Sequence, residues 1–241
     1  PVDIARHNIL LYYLTWFSRD RGGFDFLALV HETANQLKDA RGIWVVPAGV
    51  PKMFRIPPVG YDQPFPGSGG IYFIDMVDMY NGLFDRYVWK LVGKRELYIP
   101  YNAYRLNDGS WKYAQLLKAG HFNQAATRYE LHRVWVVEAT LRPGNSHRFG
   151  KRVFYVDEDS WDIVMVDCYD ANGGLFNFQE GMSTPQYNVL TVFTVPELIY
   201  HFDSGRYFIT ALSAQGHPND YNVQYPDGFF TDQAVQQRAS K

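Results

Sequence analysis

Cysteine is almost absent from this chain. Cys168 is the only one in 241 residues, which excludes an intramolecular disulfide and any cysteine-based zinc module. No uncharged apolar run reaches the roughly 18 residues that a transmembrane helix needs, so none is expected. Neither sign of charge prevails: 23 Lys and Arg stand against 25 Asp and Glu, a formal net charge of −2. Binding phosphates needs a clear cationic excess, so nucleic acid is not the expected partner. Catalytic signatures are missing too. The sequence has no Gly-x-Ser-x-Gly elbow, no Walker A loop, and no second His four residues after His31 to complete a His-Glu-x-x-His zinc helix. The seven His are scattered, so no metal, cofactor or catalytic residue is expected. The chain opens at Pro1 and its first Met is Met53, as in a processed chain or a fragment, and a missing signal here says little about location.

Aromatic residues, by contrast, are abundant. Six Trp, 18 Tyr and 17 Phe make up 17% of the chain, within an apolar share of 46% that excludes a disordered protein. Tyr and Phe suit flat, half-buried strands, so the composition leans to β. A chain this long buries roughly 70–75% of its unfolded surface and needs no staples.

The order of turns gives the architecture. His7–Phe17 and Phe24–Val30 flank Gly22-Gly23 and read as a hairpin. Ile43–Val46 and Lys52–Ile56 are short strands, and Gly60–Gly70 is a Gly/Pro loop. Phe73, Met76, Val77 and Tyr80 recur at helical spacing, which predicts a short amphipathic helix over Ile71–Leu83. Tyr87–Val92 and Arg95–Ile99 read as a second hairpin about Gly93-Lys94, and Leu106–Gln124 as a polar excursion with some helix. Tyr129–Leu141, Arg148–Val156, Trp161–Val166 and Leu175–Phe178 then follow one another across tight turns, an antiparallel meander continued by Val189–Val195 and Arg206–Leu212. A closing helix over Phe229–Arg238 takes Thr231 as its N-cap. No linker interrupts this order, so one domain over residues 1–241 is expected: a large curved antiparallel sheet with a few short helices.

Polar clusters have plain structural readings. Asp157, Glu158, Asp159 and Asp162 lack the spacing of a calcium loop and read as a solvated turn. Cys168 follows an apolar strand and sits beside Asp167, which disfavours a thiolate, so it reads as a half-buried small residue. Glu130, His132 and Glu138 share one strand face, with Arg133 on the other; they could do acid–base work, but the simpler reading is a polar face paired with Arg148 or Arg152. The apolar positions say more. Trp135, Phe154, Val156, Ile163, Met165 and Phe176 alternate along successive strands, and one short helix cannot cover all of them. With Phe73, Val77 and Tyr80 of the Ile71–Leu83 segment laid into the concave side, they outline a groove for a hydrophobic ligand. The alternative is a solid core.

Several stretches resemble a known family. Phe84-Asp-Arg-Tyr-Val-Trp-Lys90 followed by Leu91-Val-Gly-Lys-Arg-Glu-Leu-Tyr-Ile-Pro-Tyr-Asn102, then Tyr129–Leu141, Lys151–Trp161 and Tyr169-Asp-Ala-Asn-Gly-Gly-Leu175, are similar to a proteobacterial domain-of-unknown-function family, number 1329. Arg41-x-x-Trp44 and Arg55–Asp62 fit its earlier portion. The resemblance runs from about Arg41 to Leu175 and implies a fold like the periplasmic lipoprotein carrier and the outer-membrane lipoprotein receptor: an incomplete antiparallel barrel closed by helices. It further implies a periplasmic, non-catalytic carrier of lipids or lipoprotein acyl chains, working with envelope or outer-membrane transport proteins. This chain looks like the family's later part. An interaction subunit of an envelope assembly, with no ligand, is the alternative.

Overall fold

The computed structural model describes residues 7–17, 26–50, 52–57, 60, 62–216 and 219–239. The described chain is mainly antiparallel β, in two sheets. Its contacts fall into two compact units, residues 1–60 with 222–241, and residues 61–221.

The first unit holds β1 (Ile9–Phe17), β2 (Phe26–Thr33), β3 (Gly42–Pro47) and β4 (Phe54–Ile56), hydrogen-bonded in that order. The β1–β2 pairing matches the expected hairpin, although its Gly22-Gly23 turn lies outside the described residues. The last helix runs over Asp232–Ala239, with the Thr231 hydroxyl accepting from the Ala234 N–H at 3.3 Å, the N-cap that the sequence suggested. Phe230 fastens this segment to the sheet. Its ring stacks on Tyr12 at 5.5 Å and its carbonyl lies 2.7 Å from His31 Nε2.

The second unit is a seven-stranded meander: β5 (Tyr87–Pro100), β6 (Tyr129–Leu141), β7 (Lys151–Asp157), β8 (Ile163–Tyr169), β9 (Leu175–Gln186), β10 (Thr191–His201) and β11 (Arg206–Thr210), each paired with the next. The hairpin expected at Gly93-Lys94 is instead one strand. Leu91 pairs with Val137 and Gly93 with Val136, so Val92 is an inserted bulge residue, and Gly93 takes φ +140°. A bulge bends a strand and raises its twist without ending it, and glycine at positive φ suits that bend as well as a turn. A second bulge lies at Val164, between the Tyr155–Met165 and Val156–Ile163 pairs. The sheet curls until the end of β5 meets β8 and β9, where the Ala103 N–H donates to the Ser183 carbonyl at 3.1 Å. The edge strands β5 and β11 do not pair, so the barrel stays open.

Curling gives the sheet an inner and an outer face, and each has its own cover. Inside lie Ile99, Val134, Val136 and Val164, then Met182 and Leu198 under the excursion of residues 101–128. Outside lie Ala139, Phe154, Val166, Cys168 and Ile199 under residues 62–84. The segment Ile71–Leu83 therefore does not sit in the concave side, and it is not an amphipathic α-helix. It forms 3₁₀ turns over Ile74–Met79, broken at Val77 (ψ 138°) and Asp78 (φ 53°). Ile71, Tyr72, Phe73, Asp75, Met76 and Met79 are buried along it.

This strap is tied by buried polar groups. Arg152 Nη2 donates to Asp75 at 2.5 Å, and His147 Nε2 lies 3.1 Å from the same carboxylate oxygen. Arg152 is 1% and Asp75 2% exposed. The guanidinium also faces the rings of Phe149, Tyr87 and Tyr80 at 4.7, 5.4 and 5.6 Å. Further along, Asn177 Nδ2 donates to the Ile71 carbonyl and Gln179 Nε2 to the Met76 carbonyl, while Glu197 accepts from the Asp78 N–H at 3.0 Å. Breaking one side of a buried pair strands the other charge. Arg152→Met should lower unfolding free energy by about 3–5 kcal/mol in urea titrations, and the Asp75→Leu/Arg152→Met double variant should lose less than the two single losses added. Additive losses would mean that the pair does not act as a unit.

Candidate functional site

The structure divides the nine residues proposed for a hydrophobic site between the two faces. Phe73, Phe154 and Phe176 are buried in the outer core, and Val77, Tyr80 and Ile163 pack against it. Tyr80 meets Phe154 edge-on at 5.3 Å, and Phe73 meets Phe149, which in turn packs against Phe176. Met165 is on the opposite face, against Val134 and Val164, because the Val164 bulge breaks the alternation that would have set it beside Ile163. Trp135 and Val156 pair across β6 and β7 on the outer face, where Trp135 stacks near Trp161 at 6.5 Å and carries Lys94 at 4.2 Å over its ring. Eight of the nine thus lie on the outer face, where the strap that carries Phe73, Val77 and Tyr80 packs on Phe154, Ile163 and Phe176. An open depression of about 350 Å³ at the β10–β11 turn, lined by Gly67, Ser68, Gly69, Gly205 and Arg206 among others, includes none of the nine.

The polar residues singled out earlier have partners of several kinds. His132 Nδ1 lies 2.9 Å from Asp157, whose other oxygen accepts from the Ser160 N–H and hydroxyl. Asp157 is therefore fully buried and holds the turn together, rather than being a solvated member of it. Glu158 pairs with Lys94 and Arg133, and the hydrogen bonds from Arg133 and Lys94 hold its carboxyl down at about 2. Glu130 lies 3.9 Å from His132, and Arg152, one of the expected partners for this face, is committed to Asp75. Cys168 is fully rather than half buried, and burial pushes its thiol up to about 12. His132, Asp157 and Asp159 converge within 4.8 Å, with Asp159 largely exposed.

The inner face holds the arrangement that the sequence reading missed. Its cover comprises 3₁₀ turns at Tyr104–Leu106 and Gln124–Ala126 and a short helix at Tyr113–Leu116. Leu106, Leu116, Phe122 and Ala126 are 0% exposed and press on Met182 and Leu198, with Tyr200, Tyr207 and Ile209 around them. The rim is held by neutral hydrogen bonds: Tyr104 hydroxyl to the Pro185 carbonyl, Tyr113 hydroxyl to Leu212, Tyr207 hydroxyl to Lys118, and Gln124 Nε2 to the Tyr200 hydroxyl. Among the described residues, no ion pair ties residues 104–126 to the sheet. This cover is a lid with an apolar underside, tied at its rim by hydrogen bonds between uncharged groups.

Beneath the lid sits a carboxylate. Glu180 of β9 is 3% exposed, and its cross-strand neighbours are Met165 and Leu198, one from each inner apolar cluster. It accepts from the Tyr129 hydroxyl at 2.9 Å and lies beside Tyr200. Burial pushes its carboxyl up to about 7, and burial does the same to Glu197 on the outer face. The strand expected over Leu175–Phe178 runs on to Gln186. The usable signal was Phe178, Glu180, Met182: a charge placed within an apolar alternation.

The fold and its covers define an open, curled antiparallel half-barrel with a short-helix lid. A family model described as "Protein of unknown function (DUF1329)" matches residues 7–236, and the chain belongs to that family. It is 42% identical over 234 residues to the uncharacterized protein PA3922 of Pseudomonas aeruginosa, covering 95% of this chain and 51% of that protein. The chain thus spans about half the length of this curated relative. Among solved structures, it is similar to a domain named for outer membrane lipoprotein sorting from Vibrio parahaemolyticus, with TM-score 0.51, 13% identity, and 93% and 83% of the two chains covered. A DUF1329 family protein from Desulfovibrio piger gives TM-score 0.50, 16% identity, and 93% and 82% coverage. At these identities the likeness is one of fold.

The raised carboxyls fix the sign of the pH dependence. A native pKa above the unfolded value means that the folded state binds more protons between the two. Stability from Glu180 and Glu197 is complete below their unfolded pKa, near 4.5, and is lost as pH rises through about 7. Asp75 and Glu158, held low, act only at more acid pH. Thermal melts from pH 5 to 8 should show a falling Tm, with a shallower fall in Glu180→Gln. A Tm that rises over this range would contradict the assignment.

Proposed function

We propose that this chain is a non-catalytic carrier domain for lipids or other hydrophobic ligands, and that the ligand enters the curl of the seven-stranded sheet beneath the lid of residues 104–126. One observation carries the reading: an open half-barrel covers its apolar inner face with a segment that has an apolar underside and, among the described residues, no ionic tie. An acyl chain can replace that underside. Each methylene buried contributes about 0.8 kcal/mol, so a dozen could outweigh the entropy cost of association. This moves the site from the nine residues first considered to the opposite face, with Met165 common to both, because the outer face is closed by a charge-tied strap. The name of the Vibrio parahaemolyticus domain supports work in the cell envelope, and we place the chain in the periplasm, serving outer-membrane lipid or lipoprotein traffic with envelope transport proteins as partners. Among the described residues no helix is long and apolar enough to cross a membrane.

The second reading is an interaction subunit with a permanently filled interior. It is favoured by the complete burial of Leu106, Leu116 and Phe122. Titration with the apolar fluorophore 1-N-phenylnaphthylamine, alongside organic extraction of the purified protein, separates the two. A carrier should bind the fluorophore saturably and yield lipid. Phe122→Ala, by loosening the lid, should tighten fluorophore binding about threefold or more, given the few kcal/mol that a buried Phe contributes to closure. Phe73→Ala, under the strap, should leave it within about twofold, since that segment is held by the buried ion pair. Absence of both saturable binding and extractable lipid would leave the interaction-subunit reading standing.

A further inference from the structure

We infer that Glu180 selects the ligand's polar end: the site beneath the lid takes a hydrocarbon chain ending in an uncharged hydrogen-bond donor, such as an alcohol, and rejects one ending in a carboxylate. This rests on the carrier reading above and adds to it the chemistry of the headgroup. The argument starts from position. On β9 the inward residues are Phe178, Glu180 and Met182, and pairing sets Glu180 between Met165 on β8 and Leu198 on β10. A carboxylate in that setting is costly unless it is hydrogen-bonded. In the closed form it is bonded by a hydroxyl donor, Tyr129, at 2.9 Å, with Tyr200 beside it. Among the described residues, no Lys, Arg or His forms an ion pair with it.

Those partners are also linked to the lid. The Tyr129 hydroxyl lies 3.0 Å from Gln124 Oε1, and Gln124 Nε2 donates to the Tyr200 hydroxyl at 3.3 Å. Lifting residues 104–126 removes Gln124 from both tyrosines and uncovers the carboxylate at the floor of the opened site. A chain entering there meets an acceptor with spare lone pairs and an apolar wall on either side. A terminal hydroxyl can donate to it. A terminal carboxylate has no proton to give at mildly alkaline pH and adds a second negative charge with no cation to offset it.

The test compares two probes of equal chain length, 1-dodecanol and dodecanoate, as competitors for bound 1-N-phenylnaphthylamine at pH 8. The alcohol should compete about tenfold or more tightly, a modest difference for a charge placed beside a buried like charge. In Glu180→Gln the two affinities should come within about twofold of each other, because the like-charge contact is gone. Tyr129→Phe frees a lone pair on the carboxylate without removing it, so the wild-type preference should be kept or widened. Equal competition by alcohol and carboxylate in the wild type, or an undiminished preference in a folded Glu180→Gln, would overturn the headgroup assignment while leaving the carrier reading intact. If the fluorophore itself fails to bind, the carrier reading falls and takes this inference with it.

Discussion

A guanidinium 1% exposed, set among three aromatic rings, is tolerable only while a carboxylate shares its burial, and much of the second unit follows from the contact between Arg152 and Asp75. Burial alone would push Asp75 up; Arg152 and His147 outweigh it and hold the carboxyl below its usual range. The pair is therefore charged, and it joins two parts of the chain 77 residues apart. It ties residues 62–84 to the outer face of the sheet, just before their 3₁₀ turns break at Val77 and Asp78. With the outer face closed in this way, any adaptable surface has to be the inner one.

The two covers illustrate how interaction type decides which part of a fold can move. Strap and lid both bury aromatic and long apolar side chains, so apolar burial does not distinguish them. Polar chemistry does. The strap is held by a buried ion pair and by Glu197, Asn177 and Gln179, side chains that reach main-chain groups inside the core. Releasing it leaves buried charge unpaired, at a cost of several kcal/mol. The lid is held at its rim by tyrosine hydroxyls and a glutamine, hydrogen bonds that water replaces at a net cost of about 1 kcal/mol each. The lid is the cheaper segment to displace, although both look equally well packed.

The same distinction explains what could be read from the sequence. The meander from Tyr129 to Val166, the β1–β2 pair and the Thr231 cap follow from local rules: alternation, turn residues and side-chain capping. The bulges at Val92 and Val164 do not, because a bulge is set by the register of a neighbouring strand. Gly93-Lys94 has the composition of a turn, and only β6 running unbroken beside it makes it a bend. The misplaced Met165 follows from the Val164 bulge. Helical spacing over Ile71–Leu83 is present as a pattern, but the backbone breaks at Val77 and Asp78, and Asp75 is held by Arg152, a partner that the local sequence does not contain. The resemblance of Tyr87–Asn102 and Tyr129–Trp161 to a known family located the fold, and left the choice between faces to long-range pairing.

That choice bears on β9, which is polar on both sides despite lying in the middle of the sheet. Outward, Asn177 and Gln179 donate to the carbonyls of Ile71 and Met76, groups on a strap that has no strand partner to satisfy them. Their presence is explained by the strap. Inward, Glu180 has no such duty: among its described bonds it satisfies no main-chain group, and its partners are tyrosines whose hydroxyls could reach water at the rim or be replaced by phenylalanine. A methionine or leucine there would join Met165 to Leu198 in one continuous apolar core. Replacing buried charge by well-packed apolar side chains is often neutral or stabilising, so Glu180 is a cost that folding does not require. A residue of that kind, located under the segment most easily displaced, is better accounted for by what the open state must recognise than by what the closed state must hold together.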